Sequence, residues 1–190
     1  MPGSGLQAPG CELFSATRSR KPAAILMTPI IPLKEFDEEM RTTRRVLERV
    51  PSDKATCKPH EKSFPMGHLA QLVAGMPSWI VSILTEPHLD LAAGNFKYSF
   101  EKTETLLALF DKNVAAARKA LETVTGPALN EPWSLKMGPK VLMTVPRGEN
   151  ARQTLSHLVH HRGQMTVYLR LLDVKVPSIY GPTADEGWNG

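Results

Sequence analysis

Three of the chain's six histidines fall within the stretch LSHLVHHRGQM, residues 155–165. If that stretch is helical, His157 and His161 stand four residues apart, with side chains about 40° from each other on one face. Two imidazoles in that relation can reach a single divalent ion without bending the backbone, and neutral His is a common ligand for zinc, nickel and iron. A catalytic metal site usually has three protein ligands plus water. The third is therefore expected from another helix, and His68, on an apolar stripe, is the natural candidate. The bland alternative is a helix that happens to carry histidines. Acid–base work without a metal has less support, because no carboxylate is visibly set to orient either ring.

Gln164, Tyr168 and Leu172 continue the stripe of His157 and His161, which is expected to face the core. Gln164 can hydrogen-bond a ligand imidazole or a bound water, and Tyr168 can line a pocket or pack in the core. His160 lies about 60° to one side of His157, and Arg162 points well away, toward a structural ion pair. No residue is singled out as catalytic. An HExxH arrangement, a GxSxG elbow and a Gly-rich phosphate loop are all missing, which removes the zincin, serine-hydrolase and phosphate-loop readings.

The elements that must position these groups are helical. Phe36, Met40, Thr43, Leu47 and Val50 recur at 4-3-4-3 spacing, the face of one amphipathic helix. A second helix is expected over PMGHLAQLVAGMPSWIVSIL, capped by Ser63, kinked at Pro77, with His68, Leu72, Trp79 and Ile83 on its stripe. The segment 85–98 reads as a connector with one short helical turn. Ser99 is expected to cap a third helix carrying Phe100, Thr103, Leu107, Phe110, Val114, Ala117, Leu121 and Val124. WSLKMGPKVLMTVP reads as a β-hairpin about Gly138-Pro139, and a last helix runs from Arg147–Asn150 to about Asp173. The fold class is therefore all-α, a four-helix bundle with a short β-hairpin inserted before the last helix. Trp79, Trp133, Met137 and Met143 read as packing groups.

The chain has 190 residues and a formal charge of +4, half of it from residues 1–24. No Lys/Arg block remains in the rest, so nucleic acid is a poor partner. Residues 1–24, rich in Gly, Ser and Pro, are expected to form a disordered extension, and residues 25–190 one domain. Two cysteines, Cys11 and Cys57, make no disulfide framework. With no secretory or membrane-spanning apolar run, the expectation is a cytoplasmic protein that does not engage membranes.

Three segments together, LERVPSDKATCKPHEKS (47–63), GHLAQLVAGMPSW (67–79) and TLSHLVHHRGQMTVYLRLLDVKVPSIYGPTADE (154–186), resemble the DinB/YfiT-like superfamily. The resemblance implies a four-helix bundle, a homodimer, and a divalent metal, nickel or zinc, held by three histidines. It also implies a metal-dependent enzyme of thiol S-transferase or hydrolase type, acting on a small molecule with a low-molecular-weight thiol as possible cosubstrate. His157 and His161 match the family's pair on the last helix. The third family histidine belongs in a pattern that here reads Leu69-Ala70-Gln71-Leu72-Val73-Ala74, so Leu72 occupies that position. His68 lies one turn earlier, about 6 Å along the axis. Either His68 substitutes and the site is displaced, or the site is degenerate. In the second case the chain is a non-catalytic bundle that binds a small molecule or dimerises.

Overall fold

The computed structural model describes residues 30–94, 98 and 100–188. The expected extension over residues 1–24 and the expected cap Ser99 lie outside the described residues.

Four long helices carry the fold: α1 (Leu33–Leu47), α2 (Met66–Thr85), α3 (Thr103–Thr123) and, after a four-residue α4 (Gly126–Leu129), α5 (Arg147–Leu171). α2 packs on α3 and α5, and α1 packs on the same two. The spacing in α1 translates directly into burial, since Phe36, Met40, Thr43, Leu47 and Val50 are all in the interior. α2 has no Asp, Glu, Lys or Arg and is apolar on almost every side, which suits a helix surrounded by protein. By length and composition α2 alone among the described helices could cross a membrane, but most of it is buried within the fold.

α2 runs as one helix through Pro77. Proline removes one N–H from the ladder, and the Asn113 side chain donates to the Ala74 carbonyl at 2.9 Å within the disturbed turn. Ser63 is not the cap of α2; Pro65 occupies the N-cap position with no side-chain hydrogen bond. Phe100 precedes α3 rather than belonging to it, and its ring seals the start of α2. A Cβ on Gly67 would stand 2.8 Å from Phe100 Cβ, so only glycine admits that approach.

The hairpin is present as β2 (Pro132–Met137) and β3 (Lys140–Pro146), turning at Gly138 with φ +57°. The class is accordingly mostly helical with a small sheet rather than all-α. A third strand, β1 (His88–Asp90), lies in the segment read as a connector and pairs in parallel with β2. Three residues are too few to show a period, and β1 exists because β2 offers it a free edge. Asp90 locks the corner: its Oδ1 accepts from Gly138 N at 2.8 Å and Ala92 N at 2.9 Å. Those two N–H groups hold its carboxyl below the usual range.

Candidate functional site

Only one side of α5 faces the core, and it is not the histidine side. Ala151, Leu155, Leu158, Arg162, Met165 and Leu169 form its buried stripe at 4-3-4-3-4 spacing. This corrects the expectation that the stripe of His157, His161, Gln164, Tyr168 and Leu172 points inward. His157 and Gln164 are exposed, and His161, Tyr168 and Leu172 are half-buried. The disguise is Arg162, a charged residue in the middle of an apolar row. It is 1% exposed and ion-pairs with Glu39 of α1 at 2.7 Å. It also donates to Thr43 Oγ1 at 3.1 Å and to the Tyr180 hydroxyl at 2.7 Å. Tyr180 in turn donates to the Glu39 carboxylate. Arg147 fixes the other end of α5 by donating to the Ile83 carbonyl, at 2.8 Å, in the last turn of α2. These bonds set the rotation of α5, and with it the direction of its histidines.

His157 and His161 are brought together, their Nε2 atoms 2.8 Å apart. His161 Nδ1 lies 2.7 Å from Gln164 Oε1. An amide oxygen only accepts, so His161 Nδ1–H donates to Gln164, and His161 Nε2 accepts from His157 Nε2–H. Burial, followed by the neighbouring His161 and His160, pushes the His157 pKa below its ordinary value. The Trp79 ring of α2 stands 6.1 Å from that of His157.

His68 does not join the pair. Its ring is stacked between Phe64, at 4.3 Å between centroids, and Tyr98, at 3.9 Å. Burial there lowers its pKa. Leu72 is 7% exposed and packs in the core. Tyr168 donates to the Phe64 carbonyl at 2.9 Å, which ties α5 to the loop before α2.

Whether these groups suit a metal can be judged from the donors. Two nitrogens each at 2.0–2.1 Å from a tetrahedral ion stand about 3.3 Å apart. The pair is within reach of that separation, so His157 and His161 can serve as two ligands. Among the described residues, no group of three or more His, Cys, Asp or Glu side chains is arranged to hold an ion. Among the described residues the donor set is one protein ligand short of the usual catalytic site.

The histidine pair stands between two cavities. The larger, of about 740 Å³, has His157 in its wall, and the smaller, of about 360 Å³, has His161, Gln164, Tyr168 and Lys62. One wall of the large cavity is a face of the sheet. Leu89, Leu135 and Met143 are register partners across all three strands, flanked by Trp133 and Met137. Trp79 and Ile83 come from α2, and Tyr98 from the connector. The opposite wall is α5, with Asn150, Gln153, Thr154 and His157. Trp133 is 3% exposed, as a packing group should be, yet it and Trp79, Met137 and Met143 also bound this space. The sequence reading missed the cavity. The polar groups of α5 at 150, 154 and 157, in helical register, were the available signal.

Comparison with known proteins identifies the class. The chain matches the DinB family over residues 32–188, and it belongs to that family. It is 45% identical over 42 residues to the uncharacterized protein YrdA of Bacillus subtilis (strain 168), a match spanning 22% of this chain and 25% of that protein. In structure it is similar to a DinB-like protein from Bacillus cereus ATCC 10987, with TM-score 0.60 and 20% identity, covering 78% of this chain and 95% of the other. It is similar also to the DinB-like protein YjoA of Bacillus subtilis, with TM-score 0.59 and 20% identity, covering 81% and 97%. At that identity the likeness speaks for the fold alone.

Proposed function

We propose that this DinB-family chain is a small-molecule-binding protein, with the four long helices acting as a four-helix bundle and the inserted sheet closing a ligand cavity against α5. The cavity of about 740 Å³ carries the reading. It has the size and mixture of apolar lining with a few convergent polar groups typical of ligand sites. His157 provides its polar edge. The test is a fluorescence titration of the full chain with N-phenyl-1-naphthylamine, an uncharged apolar dye. One saturable site is expected, weakened about tenfold or more by Met143→Trp, which fills the sheet wall. No binding, or binding indifferent to Met143→Trp, counts against the cavity.

A second reading is favoured by the close approach of the two Nε2 atoms: a divalent metal, nickel or zinc, on His157 and His161. Bound, such an ion lowers the pKa of a water or thiol and supplies a nucleophile for hydrolysis or S-transfer. The described donor set supplies two of the three protein ligands usual for such a site. Metal content per chain, measured on protein without a polyhistidine tag beside His157→Ala, decides. Near-stoichiometric metal lost in the variant supports this reading, and a protein that stays empty after metal addition refutes it.

A further inference from the structure

The chemistry of the large cavity narrows what it can hold, an inference that rests on the cavity being the ligand site. Among the described residues, no Lys, Arg, Asp or Glu lines it. The sheet side is apolar apart from the Trp133 indole N–H, which has no hydrogen-bond partner among the described residues. The α2 side contributes Trp79 and Ile83, the connector contributes the Tyr98 phenol, and the remaining polar groups lie on one face of α5. Those groups are amides, a hydroxyl and an imidazole. Asn150 and Thr154 are each 7% exposed, so they are fixed parts of the wall rather than mobile surface groups. Thr154 Oγ1 already donates to the Asn150 carbonyl at 2.9 Å, leaving its oxygen lone pairs to accept. The smaller cavity differs, because Lys62 stands there beside His161 and Gln164. Among the described residues, a cationic side chain is therefore present on the His161 side of the pair and none lines the His157 side.

An ionised group moved from water into such a lining loses its hydration and meets no opposite charge. An uncharged molecule suffers no such loss and gains from covering the sheet face. We propose that the large cavity selects an uncharged, predominantly apolar small molecule and excludes anions, carboxylate-bearing thiols included. An anionic cosubstrate must then approach the histidine pair from the His161 side, where Lys62 stands.

The experiment uses a matched pair of dyes on the full chain. N-Phenyl-1-naphthylamine and 1-anilinonaphthalene-8-sulfonate share a skeleton and differ by one sulfonate. The expected result is saturable binding of the neutral dye and binding of the sulfonate weaker by about tenfold or more. A large excess of glutathione should leave the neutral dye in place. Met137→Arg, at an exposed position on the cavity rim, should strengthen the sulfonate specifically and close much of the gap. Equal affinity for the two dyes, or displacement of the neutral dye by glutathione, overturns charge exclusion while leaving the cavity as a ligand site. Failure of the neutral dye to bind overturns the cavity reading itself, and this inference falls with it.

Discussion

Replacing Arg162 with methionine tests whether one buried charge sets the rotation of α5. The guanidinium is 1% exposed and meets the Glu39 carboxylate at 2.7 Å, the Glu39 carbonyl at 3.1 Å, Thr43 Oγ1 at 3.1 Å and the Tyr180 hydroxyl at 2.7 Å. Removing one partner of a buried ion pair typically costs about 3–5 kcal/mol, because the other charge is left uncompensated. Glu39 retains 15% side-chain exposure and keeps its bonds from Tyr180 at 2.8 and 3.0 Å. The lower end, about 3 kcal/mol, therefore applies. At about 2–4 °C per kcal/mol for a chain of this length, the midpoint should fall by roughly 6–12 °C. Urea unfolding followed by far-UV circular dichroism gives the free energy, and a thermal scan gives the midpoint. Arg162→Met combined with Glu39→Met should recover most of the loss, since apolar replacement of a whole buried pair is often neutral. A single-variant loss below about 1 kcal/mol would refute the argument that this pair is isolated from water.

Three further outcomes are expected. Leu72→His puts an imidazole on α2 where the sequence resemblance expects a third histidine, and metal affinity measured by equilibrium dialysis should rise sharply if the native site lacks that ligand; an unchanged affinity argues that the position does not face the pair. Asp185 and Glu186 hold the C-terminal segment through Val176 N–H and Ser178 N–H at 2.8 Å and through Arg170, Arg45 and Arg49, and their pKa values are depressed, Asp185 first by Arg170 and Glu186 first by the Ser178 N–H. Their stabilisation is complete above the unfolded carboxylate range near pH 4 and is lost as pH falls through the lower folded values; the protection of the Val176 and Ser178 amides against exchange, taken relative to the intrinsic rate at each pH, should fall in that window, and Asp185→Asn should remove the pH dependence of protection at Val176. Gly67→Ala should destabilise by about 1–3 kcal/mol, because its Cβ meets Phe100 and Ala55 at 2.8 and 3.1 Å; a thermal melt indistinguishable from wild type would mean that the Phe100 ring moves aside freely.

Much of this molecule is legible in its sequence. The 4-3-4-3 row of α1, the apolar α2 and the helical span of α3 follow from side-chain periodicity, which local geometry alone dictates. In α3 the expected row is met at Phe110 and Ala117, whereas Leu107, Val114 and Leu121 are half-buried and Leu106 and Ala120 complete the buried face. The hairpin follows from two short apolar runs about a glycine, and the contact between His157 and His161 follows from helical spacing of four. Other features depend on partners distant in the chain. Which face of α5 turns inward was hidden because Arg162 occupies a core position, and a charge is stable there only when Glu39, 123 residues earlier, lies opposite. β1 is too short to exist without the edge of β2. His68 is drawn into a stack with Phe64 and Tyr98, whose positions come from two separate connections. The cavity needs walls from α2, the connector, the three strands and α5 at once. Periodicity depends on neighbours within a turn or two, so the sequence by itself determined the long helices and the hairpin. Burial of a charge, pairing of a strand and the shape of an empty space depend on groups that only the tertiary structure assembles.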